Sequence, residues 1–211
     1  MKRLSILALT MFLGQLCVGA KAEAATILSA NLTTDQETAV VNLTNSITGL
    51  PRDTPFGTAT FVLNDAQTEL SFTATIFNID VTGAQTPLDS NDNLAAAHIH
   101  APAPPGTNAG VRWGFFGAPD NDNNPDNLVV TPFAVGVGGT FSSVWNAPEG
   151  NGGTTLADQL PGILAGLSYL NFHTVQNPGG EIRGQILAPE PATLLLFAVG
   201  AGVLTRRRLR R

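Results

Sequence analysis

The sequence has almost no cysteine. Its one thiol, Cys17, lies in an apolar stretch near the amino terminus of the 211-residue chain. No internal disulfide can form, so the fold must be held by its hydrophobic core or by bound ions. A catalytic cysteine nucleophile is disfavoured, because Cys17 is the one thiol of the chain. A catalytic serine triad is also disfavoured, because no Gly-x-Ser-x-Gly elbow occurs.

Basic residues are also scarce in the central part of the chain. Between residues 25 and 187 there is no lysine, and three arginines stand against fourteen acidic residues, a net charge of −11. Such a surface repels phosphate backbones and anionic lipid. Nucleic acid and anionic membranes are therefore excluded as partners, whereas divalent cations and basic surfaces are compatible with it.

The amino-terminal segment has the three parts of a secretory signal. Lys2 and Arg3 come first, an apolar stretch runs from Leu4 to Val18, and alanines at 20, 22 and 24 provide Ala-x-Ala spacing. We predict a signal peptide at 1–24. A lipoprotein signal is disfavoured, because Leu16 stands directly before Cys17 where a small residue is required.

The carboxyl-terminal segment, 188–211, is the second unusual end. It contains Pro189-Glu190-Pro191, an apolar run from Ala192 to Leu204, and five arginines among its last six residues. Thirteen apolar residues make about 20 Å of helix, short of the roughly 30 Å hydrocarbon core of a bilayer. The arginines favour a cytoplasmic end rather than a buried core helix, which leaves the domain outside.

In this order the three parts resemble the PEP-CTERM sorting signal of Gram-negative bacteria. The resemblance implies an exosortase and the secretion machinery as partners, with transient insertion of the tail into the inner membrane. It also implies removal of the tail and a final location at the cell surface or outside the cell. We therefore expect an exported protein whose precursor is tethered to the inner membrane.

The segment 25–187 has the period-two pattern of β-strands. In "GTATFVLN" (57–64) and "TELSFTATIFNI" (68–79) apolar and polar residues alternate, which predicts a hairpin. Shorter strands are expected at "TILSANL", "AAAHIHA", "GVRWGFF", "GTFSSVW", "GLSYLNFHT" and "GEIRGQIL". The sequence thus predicts an all-β fold, a single antiparallel β-sandwich or Greek-key barrel.

One segment differs from this pattern. "TTLADQLPGILAG" (154–166) has a possible N-cap at Thr154 or Thr155, leucines at 156, 160 and 164, and a terminal glycine. With Pro161 inside, it predicts one short helix of one or two turns that plugs an open end of the sheets.

Histidine is the strongest indicator of chemistry. The chain has three: His98 and His100 in "AAAHIHAP", and His173 in "LNFHT". Positions 98 and 100 point to the same face of a strand, and a neighbouring strand with His173 would complete a three-nitrogen site for zinc or copper. The alternative is a hydrogen-bonded polar layer that includes Asn171, Glu181 or backbone carbonyls.

Glu181 and Arg183 face the same way on a predicted strand. If half-buried, such groups stay charged only when they are paired. We expect each to satisfy the other or a neighbouring strand, and to fix the strand register rather than to act in catalysis.

Two loops, 88–93 and 119–127, are rich in Asp and Asn. Alternate oxygens at Asp120, Asp122, Asn124 and Asp126 suit calcium, although the glycine and distal glutamate of an EF-hand are missing. Asx turns explain the same composition. Three aromatic residues are candidates either for stacking on sugars or for core packing, Phe115, Phe116 and Trp145.

Three segments together resemble the CHRD domain, first recognised as a repeat in chordin: "GTATFVLNDAQTELSFTATIFNI", "AAHIHAPAPPGTNAGV" and "LAGLSYLNFHTVQNPGGEIRGQI". The likeness covers about 25–187. The chain departs from it in the Asp/Asn-rich insert 117–128 and in Ala101, where a glycine is expected. The His-x-His element is also weakly similar to copper/zinc superoxide dismutase, which needs about six histidines.

We predict a secreted or surface-displayed, non-enzymatic module with a binding or structural role in the extracellular matrix or envelope. Its expected partners are extracellular polysaccharide or surface proteins. The alternative is a metal-dependent redox or hydrolytic protein that uses His98, His100 and His173.

Overall fold

The computed structural model describes residues 25–189, which fold into nine β-strands and one α-helix. The strands are β1 Thr26–Thr33, β2 Phe56–Leu63, β3 Glu69–Phe77, β4 Leu94–His100, β5 Val111–Phe116, β6 Val129–Pro132, β7 Gly138–Asn146, β8 Tyr169–Thr174 and β9 Ile182–Gln185. The helix α1 spans Leu156–Leu164, and a short 3-10 turn, Thr34–Gln36, follows β1.

All nine strands belong to one antiparallel sheet in the order β5-β4-β8-β9-β1-β2-β3-β7-β6. The ladder between β9 and β1 is reduced to one register pair, Thr33 opposite Arg183, supported by the bridge between Ser29 and Leu187. The sheet curls strongly about this junction, so that one half, β5-β4-β8-β9, faces the other, β1-β2-β3-β7-β6. The predicted all-β fold is confirmed, with both layers belonging to one curled sheet.

Aromatic side chains fill the space between the two halves. Phe72 of β3 lies 4.6 Å from Phe115 of β5 between ring centroids, and Trp113 of β5 stacks on Trp145 of β7 at 5.6 Å. Phe115 and Trp145 are fully buried, and Phe116 packs against the core, so all three have the core-packing role that sequence left open. Each such side chain contributes about 2 to 3 kcal/mol when fully buried.

The hairpin of β2 and β3 follows the predicted alternation. Its inward residues Ala59, Phe61 and Leu63 are at most 3% exposed, whereas the intervening residues on β2 are exposed. The ladder is regular from Phe56 opposite Phe77 to Leu63 opposite Leu70. The period of two thus fixes both the hairpin and the face that enters the core.

The helix α1 begins with a capping box in which Thr155 and Asp158 exchange hydrogen bonds. Leu156, Leu160 and Ile163 enter the core, while Leu164 is 40% exposed. Gly166 adopts a left-handed conformation with φ +71° just after the helix, as its predicted role as a helix stop requires. The predicted short helix is confirmed, and it packs into the core by its apolar stripe.

Within residues 25–189 no helix has the length and apolar character needed to span a membrane. The predicted signal peptide, 1–24, and the apolar run with its arginine cluster from residue 190 onward lie outside the described residues.

Candidate metal centre

The three histidines meet on the outward face of β4 and β8. These strands are neighbours, with His98 opposite Asn171 and Ala96 opposite His173. The ring centroids of His98 and His173 are 5.0 Å apart, and His100 lies 5.7 Å from each. The prediction that His173 joins the His-x-His pair on an adjacent strand is therefore correct.

One nitrogen from each ring lies within 4.8 Å of the nitrogens of the other two. All three side chains are buried, between 4% and 8% exposed. The register between β4 and β5 shifts between Ala97 and His98 and again between Ile99 and His100. Irregularities of this kind interrupt the regular alternation of a strand and change the direction in which its side chains point. They frequently lie next to functional sites.

Backbone carbonyls fix the tautomers of two rings. The Nδ1 of His100 lies 3.0 Å from the Ala109 carbonyl oxygen, and the Nδ1 of His173 lies 3.0 Å from that of Pro178. A carbonyl oxygen only accepts, so each Nδ1 carries the proton and each Nε2 presents a lone pair. Metal-binding histidines are typically oriented in this way, with the nitrogen that does not bind the metal donating to a backbone carbonyl.

The third ring completes the arrangement. The Nδ1 of His98 lies 3.2 Å from the Nε2 of His173. Without a metal, His98 must donate to that lone pair, which leaves its own Nε2 as an acceptor. The buried Nε2 atoms of His98 and His100 have no hydrogen-bond partner in the described part of the chain. The Ala118 carbonyl acts on His98 and favours its charged form, but it does not reach hydrogen-bond geometry with Nε2.

Burial keeps the imidazoles neutral. Burial, and to a smaller extent the neighbouring His173 and His100, lower the pKa of His98 to about 4. Burial likewise lowers the pKa of His100 to about 4 and shifts the pKa of His173 downward. Neutral imidazole is the form that binds a metal ion, so at neutral pH the cluster has the protonation state of a ligand set.

A pocket of about 420 Å³ opens beside the three rings. Apart from the histidines its lining is small and apolar, Ala95, Ala96, Val111, Ala118, Pro119 and Pro178. Gly114 makes this packing possible, because a Cβ there would lie 1.8 Å from the Pro119 oxygen and 2.9 Å from Cδ2 of His98. In the sequence, this need for a small residue is visible only as the glycine of "RWGFF", which stands between bulky residues.

Tyr169 packs against His100, and Arg183 packs against Tyr169. The rings of His100 and Tyr169 are parallel within 1°, with centroids 4.8 Å apart. The Arg183 guanidinium carbon lies 3.4 Å from the Tyr169 centroid on its other face. The Tyr169 hydroxyl accepts a hydrogen bond from the Ala109 amide, the residue whose carbonyl holds His100. Sequence reasoning missed this stack, although alternation places Tyr169 on the same face of β8 as His173.

Glu181 does not pair with Arg183. Its fully buried carboxylate accepts hydrogen bonds from Nη2 of Arg52 at 3.0 Å, from the Asn177 amide at 2.7 Å and from the Thr174 hydroxyl. Residues two positions apart on one face of a strand have Cα atoms about 7 Å from each other. The loop 37–55 instead brings the Arg52 guanidinium into direct contact with the Glu181 carboxylate. The expected Glu181–Arg183 couple is therefore wrong, but the expected structural role of Glu181 in a buried ion pair is retained.

The Asp/Asn-rich loops use their carboxylates in hydrogen bonds within the protein. Asp122 accepts from the Ser143 hydroxyl and the Asn127 amide, Asp126 from the Leu128 amide, and Asp89 from the amides of Ser46 and Asn91. Asx turns account for the contacts of Asp126 with Leu128 and of Asp89 with Asn91, whereas Ser143 and Ser46 come from distant segments. Within residues 25–189 the histidines form the one group of three or more suitable side chains close enough to share an ion.

Comparison with known families agrees with this architecture. The CHRD domain model matches residues 28–186, and the chain therefore belongs to the CHRD domain family. A PEP-CTERM protein-sorting motif covers residues 187–211. No match is found among curated proteins or among solved structures. Both predicted resemblances are confirmed, and the sorting motif implies recognition by an exosortase, export, and a membrane-anchored precursor of an extracellular protein.

Proposed function

We propose that this CHRD domain is a non-enzymatic binding module that holds one zinc or copper ion on His98, His100 and His173. The observation that carries the proposal is the pair of buried Nε2 atoms, on His98 and His100, that have no hydrogen-bond partner in the described residues. They lie in a cluster whose third member presents its own Nε2 lone pair.

Energetics favours a bound cation over a purely hydrogen-bonded layer. A buried polar atom without a partner costs about 1 to 3 kcal/mol. A polar layer built only for stability would pair these nitrogens with hydroxyls or amides, as Oε2 of Glu181 is paired with the Thr174 hydroxyl and the Asn177 amide. A metal ion accepts a lone pair from each of the three rings at once and replaces the hydrogen bond between His98 and His173.

The donor chemistry selects the class of ion. Neutral imidazole nitrogens suit zinc and copper, whereas calcium and magnesium prefer oxygen ligands. Among the described residues, 25–189, no carboxylate lines the pocket beside the rings. Three imidazoles leave a coordination position free, and the 420 Å³ pocket gives room for a water or a small ligand there.

That free position is the observation that favours the alternative, a metal-dependent redox or hydrolytic activity. Hydrolysis needs a base or acid beside the metal in addition to the ion. Apart from the histidines, the side chains that line the pocket are those of alanine, valine and proline, none of which can transfer a proton. We therefore favour binding over catalysis.

The location and partners follow from the same proposal. After sorting by the exosortase, the domain is displayed on the cell surface or in the extracellular matrix, with polysaccharide or surface proteins as partners. The absence of a disulfide-forming thiol in 25–189 makes a structural role for the metal useful in that setting.

The test is metal analysis of the full chain purified without chelator. We expect close to one zinc or copper ion per chain, and its loss in the His98→Ala/His100→Ala variant. Gln185→Ala is the matched control, since Gln185 is buried in the same polar layer and bonds only to backbone carbonyls through its amide nitrogen. Equal metal content in all three proteins, or none after incubation with zinc and copper, would contradict the proposal. Turnover of a substrate that vanishes with the histidines would favour the alternative.

A further inference from the structure

We propose that the outward face of β1, β2, β3, β7 and β6 binds neutral polysaccharide. This face, called the hydroxyl face below, belongs to the half of the sheet that does not carry the histidines. The inference narrows the class of partner proposed above and rests on export of the domain, but it does not depend on a metal ion.

Two rows of hydroxyl and amide side chains cross the strands of this face. Register pairs connect Asn31, Thr58, Thr75, Thr140 and Thr131 in one row. They connect Ser29, Thr60, Thr73 and Ser142 in the next. Neighbouring strands are about 4.8 Å apart and alternate residues about 7 Å apart. The result is a grid of hydroxyl and amide groups that spans five strands in the first row and four in the second, where β6 contributes Val129 instead.

These hydroxyls are available to a ligand. Thr58, Thr60 and Thr73 are exposed, and Thr75 is half-buried. Within residues 25–189 none of these four side chains takes part in a hydrogen bond to another protein group. Other hydroxyls of the domain donate hydrogen bonds to carboxylates of the protein, as at Thr174, Thr155 and Ser143. A row of free donors and acceptors at a fixed spacing suits a polyol chain.

Within residues 25–189 the two rows contain no charged side chain, although the segment 25–187 carries −11. One acidic residue of β3, Glu69, is exposed on the same face, at the end of the strand and four positions before Thr73. None of the three arginines reaches this face: Arg52 and Arg183 bind the polar layer of the other half, and Arg112 donates to the Ala101 carbonyl. An anionic polysaccharide would be repelled by the domain and would find no cation here, so the partner must be neutral.

An aromatic cluster borders the grid. Phe56 and Phe77 stack at 4.8 Å, and Phe133 lies 5.1 Å from Phe77. Phe56 is 49% exposed and Phe77 is 37% exposed, unlike the aromatic residues between the sheet halves. The pair adjoins the row that contains Thr58 and Thr75. Exposed ring faces offer the C–H face of a pyranose a packing surface beside hydroxyls that satisfy its oxygens.

A second copy of the chain is the competing occupant. Stable homodimer interfaces have a core that is about 65% apolar. The centre of the hydroxyl face consists of threonine and serine, and its apolar residues lie at the margins, with Phe56 and Phe77 at one end and Ile27 and Val62 at the other. The arrangement therefore fits a hydrated glycan better than a dry protein interface.

The experiment measures binding of the full chain to hydroxyethyl cellulose, a neutral polysaccharide, and to alginate, an anionic one, by affinity electrophoresis. Thr73→Glu places a charge in the centre of the grid, and Phe56→Ala/Phe77→Ala removes the exposed stack. Val40→Glu is the control, because it adds the same charge to an 88% exposed residue of the loop 37–55, which belongs to none of the strands of the hydroxyl face. Circular dichroism verifies that each variant is folded, and metal content is measured on the same samples.

We expect retardation by hydroxyethyl cellulose but not by alginate. Thr73→Glu should weaken binding by about tenfold or more, since an unpaired charge would be desolvated under the ligand, and the double phenylalanine variant should also weaken it. Val40→Glu should bind as the unaltered chain does. Binding to neither polymer, equal binding to both, or equal binding by all variants would overturn the proposal, as would a dimer that Thr73→Glu dissociates. A variant that loses the polysaccharide and keeps its metal separates this surface from the metal centre.

Discussion

The Nδ1 of His98 lies 3.2 Å from the Nε2 of His173, across two adjacent strands of the curled sheet. Two neutral imidazoles at this distance share either a proton or a metal ion, since two facing lone pairs repel. Both rings are buried, so neither can turn toward water to relieve the contact. This relationship makes the cluster sensitive to protons as well as to metals.

Protonation of the histidines should therefore destabilise the domain. The pKa of His98 and of His100 is lowered to about 4 in the folded state, against about 6.5 in an unfolded chain. Between these values the unfolded chain binds more protons at the histidines, so their contribution to stability is fully present above pH 6.5 and is lost as the pH drops toward 4. We expect each of them to contribute a loss of about 3 kcal/mol over this range, since each pKa unit corresponds to about 1.4 kcal/mol. Burial raises the pKa of Glu37 to about 7 and that of Asp92 to about 6, and these two carboxyls act in the opposite direction.

The measurement is the free energy of unfolding of the metal-free full chain against pH, by urea denaturation. The His98→Ala/His100→Ala variant should lack this histidine-dependent fall between pH 6.5 and 4, whereas the opposing effect of Glu37 and Asp92 should remain. Carboxylates with lowered pKa, such as Asp80 and Asp89, also lose stability in acid, but below that window. Parallel profiles for the two proteins over the whole window would contradict the titration assigned to the histidines.

Glu181→Ala should destabilise the domain by roughly 3 kcal/mol. The change leaves the Arg52 guanidinium buried, with its Asp89 contact at 3.9 Å as the remaining ionic partner, and breaking a buried pair costs about 3 to 5 kcal/mol. It also removes the acceptor of the Asn177 amide. Thermal and urea unfolding measure the effect. Glu69→Ala, at an exposed position, is the control, and equal melting temperatures for the two variants would show that the pair contributes nothing.

The sequence predicted those parts of the fold that repeat a short period. Alternation in 57–64 and 68–79 identified a hairpin and its buried face, and the spacing of His98 and His100 placed both on one side of a strand. Thr155 was one of two candidates for the helix cap, and it is the one used. Local periodicity carries this information because strand geometry alone determines which side chains share a face.

The parts that were missed depend on contacts between distant segments. Arg52 reaches Glu181 across 129 positions from a loop with no period. The strand β6 was not predicted, since its four residues gain a partner only through β7. The Arg183–Tyr169–His100 stack likewise joins three strands, β9, β8 and β4. Such pairs are set by packing of the whole chain, and one sequence contains no direct record of them.

Gly114→Ala should damage the metal centre without altering any imidazole. The added Cβ would lie 1.8 Å from the Pro119 carbonyl oxygen, which belongs to backbone and cannot rotate away. The 117–119 turn or the His98 ring must move, at a cost of about 1 to 3 kcal/mol for overpacking. We expect weaker zinc and copper binding by calorimetry and a lower melting temperature. Gly110→Ala, where an added Cβ meets nothing within 4 Å, should be neutral on both measures; the same loss at Gly110 would point to loop stiffness instead.

Tyr169 positions His100, and two substitutions separate its ring from its hydroxyl. Tyr169→Phe keeps the ring stacked between His100 and Arg183 but removes the bond from the Ala109 amide, whereas Tyr169→Leu removes the stack as well. We expect Tyr169→Leu to weaken metal binding by about tenfold, the equivalent of 1.4 kcal/mol, because His100 loses one wall of its site. Tyr169→Phe should retain most of the affinity and lose about 1 kcal/mol of stability for the missing hydrogen bond. Calorimetric titration with zinc alongside urea unfolding separates these effects, since a residue that only stabilises the fold would change the unfolding free energy in both variants and leave the zinc affinity of the folded protein unchanged.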